Sequence, residues 1–496
     1  MAISTAIPQS AKARAVGIET IFKNLQGSIS FLPQRVALVG QGNSAATYAL
    51  TKQQVFSSFE VGSTYGFGSP LHLAAQQLLP ASGDGIGIVP LTVYPLEDTG
   101  TGDPSAGDIT PVGTPNASGS FIIYINGIPS AAFSVADSDA VATITAAMTT
   151  ALAGNVDLPM TAVDGTTVVD LTSKWEGTSA NDLVISVEGP TDINLAFTIT
   201  QPVGGTVNPD VDDALVQVGS VWETMFLNCM DVADTVTLDK FSAFGEGRYD
   251  PLVKKPCVVF TGDTTVSVTS AIAIPDARGT DRTNSQLVAP GSINLPFVVA
   301  ARELARIAAL ANSNPPTDYG SRIADGITPG TDAEQWDYLE KNTAINAGCS
   351  SVNVVDSVVK LADTVTFYHP AGDPTPAYQY VVDIVKLQNI LYNTDLLFNN
   401  PEWDGAPLVP DNQPLVKNAN AKQPKMAVAA VAGMIDSLAA EAIISEPDAA
   451  KATVIAEING SNPKRLDITF TVQLSGNADI ISIDLNFGFY FGGSIS

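Results

Sequence analysis

Val36-Ala37-Leu38-Val39-Gly40-Gln41-Gly42-Asn43-Ser44-Ala45 is an apolar run ending in G-x-G-x-x-A. How that ending is read decides whether the chain opens on a dinucleotide-binding unit or on an ordinary buried strand. In the dinucleotide fingerprint the glycines admit a pyrophosphate to a helix N-terminus, and an acid about 20 residues on holds the ribose. Glu60 stands at about that distance. The unit also needs a full helix and a second strand ending at the acid, yet Ala45 to Gln54 leaves barely two turns, and Gly62 and Gly66 follow at once. A lone motif of this kind is weak. The preferred reading is a structural strand-to-loop turn; the alternative is an NAD-dependent enzyme using Gly40-Gln41-Gly42.

Working outward, Arg35 to Val39 reads as a buried strand. Ser69-Pro70 followed by Leu71, Leu73, Ala74, Ala75, Leu78 and Leu79 reads as a helix with Ser69 as cap and Pro70 in the first turn. Ile86 to Pro95 is a second buried strand, and the alternation is that of an α/β layer. Composition then shifts. Glu97 to Gly119 is dense in Gly, Pro, Thr, Ser and Asp, and Pro202 to Pro209 repeats the break. Between them Phe121–Ile125, Ala131–Val135, Val168–Leu171, Leu183–Val187 and Ala196–Thr200 read as strands around one helix near Ala140–Ala153. Two such joints around a β-rich block suggest a domain inserted into another.

After Asp210 the α/β pattern resumes. Asp212–Leu227 reads as helical, Cys257–Phe260 and Ser270–Ile274 as buried strands, and Pro296–Leu310 as a helix with Arg302, Glu303 and Arg306 on its polar side. Glu334–Ala347 is a helix ended by Gly348. Val352–Val355, Val358–Leu361 and Val365–Tyr368 read as a short meander, and Tyr378–Phe398 and Lys425–Ile444 as the longest helices. At the end Leu466, Ile468, Phe470, Val472 and Leu474 alternate with polar residues. After Ser475-Gly476-Asn477-Ala478-Asp479 so do Ile481, Ile483, Leu485, Phe487, Phe489 and Phe491. These are half-buried strands by pattern, and an apolar strand left at an edge needs a partner.

With 496 residues the chain is too long for one core and should form two to four domains. A hydrophobic fraction of 45% against 15% charged residues is that of a globular protein. The net charge of -27, from 51 acidic and 24 basic residues, repels phosphates and anionic lipid, so direct nucleic-acid binding is not expected. The apolar stretch near Met426 to Ile435 is too short to cross a bilayer, and Met1 to Gly17 carries no export signal, so assembly in a cytoplasm is expected. Cys229, Cys257 and Cys349 read as free buried thiols.

His72 and His369 are the two histidines, which leaves little for His-based metal sites or proton relays, and neither pairs with a nucleophile at a recognisable spacing. No G-x-S-x-G elbow or Walker-type phosphate loop occurs. No catalytic residue, cofactor site or metal site is expected. Asp210, Asp212 and Asp213 read as the acidic start of a helix rather than as calcium ligands. Asp276-Ala277-Arg278-Gly279-Thr280-Asp281-Arg282 reads as a solvated loop, with a subunit contact as the alternative. Lys417, Lys422 and Lys425 make a locally basic strip that could dock an acidic partner protein, against the plainer reading of a solvated loop and helix start.

Taken in order, these segments resemble the tail sheath proteins of contractile-tailed phages, in particular the Mu-like branch. The resemblance is carried by Arg35–Gly40 followed by Phe67-Gly68-Ser69-Pro70-Leu71-His72, by the block Gly119–Pro209 with Leu158-Pro159-Met160-Thr161-Ala162 and Thr198-Ile199-Thr200-Gln201-Pro202, and by Ala347-Gly348 through Thr366-Phe367-Tyr368. It is most specific at Asn462-Pro463-Lys464-Arg465-Leu466-Asp467. Lys341-Asn342 departs from the Arg-containing helix more usual before the Ala-Gly turn.

What the resemblance implies is a multidomain α/β (α+β) protein, without enzymatic activity, in a virion. The implied division is an N-terminal arm (1–30), a middle domain in two parts (31–112 and 207–349), an inserted outer β-rich domain (113–206), an inner C-terminal domain (350–478) and a terminal strand arm (479–496). Copies would stack as hexameric rings around a tail tube protein, bounded by baseplate and tail terminator proteins, and contract to drive the tube through a host envelope. Ile481, Ile483, Leu485, Phe487, Phe489 and Phe491 are the expected strand-exchange residues, and Lys417, Lys422 and Lys425 the expected tube-facing ones. A secreted surface-layer or adhesin protein is a third reading, and it requires an export signal.

Overall fold

The computed structural model describes residues 29–373, 377–413, 418, 420–485 and 487. The first strand, β1 (Val36–Gln41), is buried along its whole length. A loop leads to β2 (Gln53–Val55), α1 (Ser58–Tyr65) and α2 (Pro70–Leu78), and then to β3 (Leu91–Leu96). As expected, Ser69 caps α2: its hydroxyl accepts from the His72 amide, and Pro70 occupies the first turn, where no amide donor is needed.

The chain then leaves this layer for a β-rich insertion. It comprises β4 (Pro104–Val112), β5 (Gly119–Ile125), β6 (Ile128–Pro129), β7 (Phe133–Val135), α3 (Val141–Ala153), β8 (Met160–Asp164), β9 (Val169–Glu176), β10 (Ile185–Glu188) and β11 (Ala196–Val203). One antiparallel sheet has the order β11-β4-β9-β8; in the other β10 and β6 flank β5, which also pairs with β7. Pro104–Val112, read from sequence as part of a joint, is thus an interior strand. Its prolines fit because pairing to β9 ends at Ile109, so Pro111 lacks no bond on that side, and Pro202 of β11 falls in a break of register between Thr200 and Val203. Phe121, Phe133 and Phe197 meet between the sheets, and Trp175 is buried with its indole N–H donated to Ser179 Oγ at 3.0 Å.

The α/β layer then continues through α4 (Asp212–Val218), β12 (Met225–Asn228), α5 (Thr235–Arg248), β13 (Val258–Asp263), α6 (Val268–Ala277), β14 (Asn284–Val288), α7 (Pro296–Ser313), α8 (Tyr338–Asn346), β15 (Ser350–Val355) and β16 (Val358–Leu361). Strands β1, β3, β12, β13, β14 and β15 run parallel in an eight-stranded sheet of order β16-β15-β14-β13-β12-β1-β3-β2, with an antiparallel strand at each edge. Continuous apolar runs such as Val258-Val259-Phe260 are what a parallel sheet covered on both faces requires.

Several sequence expectations are corrected here. The helix expected over Asp212–Leu227 stops at Val218, where Gly219 takes φ +58, and Met225–Asn228 is a strand. Ser270–Ile274 is helical: Ser267 caps α6 through its hydroxyl, and a five-residue apolar run cannot tell a strand from a buried helix. The expected helix at Glu334 begins at Tyr338, where Asp337 and Glu340 form a reciprocal capping box. Val365–Tyr368 makes isolated bridges rather than a third strand. In α7, Arg302 and Glu303 are buried instead of lining a polar face, because the helix is covered by α2 as well as by β12, β13 and β14.

The chain divides into two compact units, and the division falls within α9 (Val381–Phe398). Residues 31–392 and those from Leu474 onward form one unit, which holds everything described so far. The second, built on 393–473, contains α10 (Pro424–Ala440), a two-residue strand β17 (Ile444–Ser445), α11 (Pro447–Ala452), and an antiparallel ribbon of β18 (Ile455–Ile458) with β19 (Leu466–Thr469). The long strand expected over Leu466–Leu474 is therefore shorter, and it is interrupted after Thr469. Among the described residues no helix is long and apolar enough to cross a membrane.

Candidate functional site

The Gly40–Ala45 turn does not have the surroundings of a dinucleotide site. Residues 42–52 form no helix, so the turn is not followed by the helix that the fingerprint requires. Gly40 is required by packing: a β-carbon there would stand 2.9 Å from Cys229 Sγ. Gly42 lies against the Tyr48 ring. Glu60, in the acid's expected position, accepts from the Phe56 amide at 3.0 Å beside its own helix start. A cavity of about 260 Å3 beside the turn is lined by Asn43, Ser44, Tyr48, Glu97, Asp98 and Glu176, and three carboxylates repel a pyrophosphate. The NAD-dependent alternative is set aside on these grounds.

The two histidines, Asp210, Asp212 and the charges of the 276–282 loop are engaged within the chain. Burial lowers the pKa of His72, whose Nδ1 accepts from the Gly68 amide at 3.1 Å. His369 Nδ1 lies 2.7 Å from the Phe367 carbonyl and Nε2 3.3 Å from Asp276. Asp212 opens α4, and it and Asp210 are both paired with Lys240. In the 276–282 loop Arg278 pairs with Asp239 at 2.7 Å. Arg282 grips Glu246 through two nitrogens at 2.9 and 2.7 Å and stacks on Tyr249 at 3.7 Å. These charges are used inside the subunit. Cys229, Cys257 and Cys349 are free and buried, and burial pushes the Cys257 thiol up to about 12.

The expected basic strip is not a uniform surface. Lys417 lies outside the described residues. Lys422 is buried, with its ammonium 2.5 Å from Glu402 and over the face of Trp403 at 5.2 Å. Lys425, in the first turn of α10, is exposed. Its backbone amide donates to Asp411 at 3.1 Å.

The most unusual surface is the segment after Asn477. Ile480, Ile481, Ile483, Leu485 and Phe487 are each between 76% and 89% exposed, and the described residues from 479 onward take neither helix nor strand. Phe489 and Phe491 lie outside the described residues. Single exposed apolar residues are ordinary, but five within eight positions of one chain are a surface that water does not favour. Alternation along Ile481, Ile483, Leu485 and Phe487 would place all four on one side of an added strand. Immediately before it, the segment Ser475–Asn477 is held by Lys386 of α9, a residue the sequence reading did not single out. Its local sign was a lysine three residues after Asp383 in an otherwise apolar helical stretch.

No protein-family model matches the chain. Over 312 residues it is 25% identical to the Mu-like prophage FluMu tail sheath protein of Haemophilus influenzae, a match that takes in 61% of this chain and 62% of the relative's length. In three dimensions it is similar to a sheath tail protein of Listeria innocua (TM-score 0.48, 13% identity, 91% of this chain and 93% of that one). It is also similar to a sheath tail protein of Desulfitobacterium hafniense (TM-score 0.46, 11% identity, 93% and 100%).

Proposed function

We propose, taking this chain as a sequence relative of a Mu-like tail sheath protein, that it is the structural subunit of a contractile phage tail sheath and has no enzymatic role. Copies assemble as stacked hexameric rings around a tail tube, bounded by baseplate and terminator proteins, and contraction of the lattice drives the tube through the host envelope. The protein is then a component of the virion. The inserted β-rich segment is the outward-facing part of each copy, and Lys425 is a contact to the tube.

The observation that carries this reading is the exposed alternating segment Ile481–Phe487, set beside the sequence relationship. A strand with one apolar face gains main-chain hydrogen bonds and burial by adding to a neighbour's sheet edge. Burying about 100 Å2 of each of four such side chains is worth roughly 10 kcal/mol before ordering costs. A link of that kind tolerates rotation of the subunits it joins, because the covalent segment between them is extended and unpaired.

Negative-stain imaging of the purified full-length chain tests the proposal. Long hollow cylinders are expected. Compact particles at every protein and salt concentration would overturn it.

A further inference from the structure

Lys386 lies in the part of α9 that belongs to the unit of the central sheet, and its side chain is wholly buried. An ammonium taken out of water is costly unless all three of its donors are used and a counter-charge is near. Here each donor has an acceptor: Asp383 Oδ1 at 3.0 Å, the Ser475 carbonyl at 2.6 Å and Asn477 Oδ1 at 2.6 Å. Asn477 is held from its other end as well, since its Nδ2 donates to the Pro316 carbonyl at 2.8 Å in the loop after α7. The segment Ser475–Asn477 is thus tied to α9 and to the loop after α7, both in the same unit. Three residues later, at Ile480, the exposed apolar segment begins.

Carboxylates gather around this root. Burial, reinforced by Asp318 and Asp479, pushes Asp363 up to about 6. Asp479 is raised by its own partial burial and by Asp318 and Asp383, against the pull of Lys386. Of these two carboxylates, Lys386 acts on Asp479.

We infer that Lys386, through Ser475 and Asn477, is the anchor that fixes where the terminal segment leaves its own subunit, and so fixes the length free to reach a neighbour. Letting go of residues 475–478 would add roughly 14 Å of reach at about 3.5 Å per residue. A connector with that much slack would transmit a neighbour's movement late or not at all. The consequence for assembly rests on the strand-addition reading; the anchor itself does not.

The test uses the full chain with a nitroxide on Ala478→Cys, the three native cysteines being buried, and a control label on Thr150→Cys in α3. In the parent the label at 478 is immobilised. Lys386→Met shortens its rotational correlation time about fivefold or more, as expected for a held segment becoming a free chain, while the control does not change. If Lys386→Met does not fold, Asn477→Ala decides by the same criterion. An unchanged spectrum at 478 in the deciding variant overturns the anchor. Cylinder formation is scored separately: a chain ending at Asn477 that still makes normal cylinders removes the strand-addition reading and leaves the anchor standing.

Discussion

The Gly42 amide donates to the Tyr48 hydroxyl at 3.0 Å, and a β-carbon on Gly42 would stand 2.4 Å from the same ring. The second glycine of the G-x-G motif is therefore explained by an internal contact. Gly42→Ala should cost about 2 kcal/mol through overpacking, and the cost should shrink when Tyr48 is already alanine. Denaturant titration of the two single variants and the double variant measures this. A nicotinamide dinucleotide at about 100 times any relevant dissociation constant would stabilise by about 2.7 kcal/mol if it bound; no shift is expected.

Glu303 is fully buried in α7, neither of its oxygens has a hydrogen-bond partner, and burial pushes its carboxyl up to about 8 from 4.5. The folded chain therefore holds this proton at pH values where the unfolded chain has released it. Its contribution to stability falls as pH rises from about 4.5 to about 8, by up to about 1.4 kcal/mol per pH unit, and is level above that. Glu303→Gln removes the titration. The stability difference between variant and parent should rise across this window and flatten beyond it, as measured by denaturation at a series of pH values.

Lys422 and Lys425, three residues apart, should respond oppositely to charge reversal. Lys422→Glu sets a second carboxylate beside Glu402 in a buried position and should destabilise the chain by roughly 3 kcal/mol or more. Lys425→Glu is exposed, should leave the thermal midpoint within a degree or two of the parent, and should weaken assembly around the tube if the proposed contact is right. Unchanged assembly around the tube removes that contact.

Much of the fold could be read from local signals. The run Val36–Val39 and the cap Ser69-Pro70 act within a few residues, so the sequence carries them directly. The Ser270–Ile274 segment was not legible, since five apolar residues suit a strand or a buried helix equally and the Ser267 cap alone decides. Glu303 was misplaced for a different reason: a periodic pattern marks one polar face, but not that a neighbouring helix will cover it. Of the candidate site, the alternation Ile481–Phe487 was visible as a strand without a partner. Its anchor was not, because Lys386 and Asn477 are joined across 91 positions of sequence.

The three cysteines offer a simple check on packing. All are buried and unpaired, with thiols pushed to high pKa by desolvation. A thiol reagent at pH 8 should modify none of them in the folded chain and all three after denaturation. Rapid labelling of the native protein would contradict the burial that also underlies Gly40 against Cys229.

The claim that the segment after Asn477 joins one subunit to the next is tested most directly by imaging a chain ending at Asn477 beside the full-length protein under the same assembly conditions. The truncated chain should remain folded and soluble, with an unchanged denaturation midpoint, and form no cylinders. Cylinders of normal length and abundance from the truncated chain would contradict it.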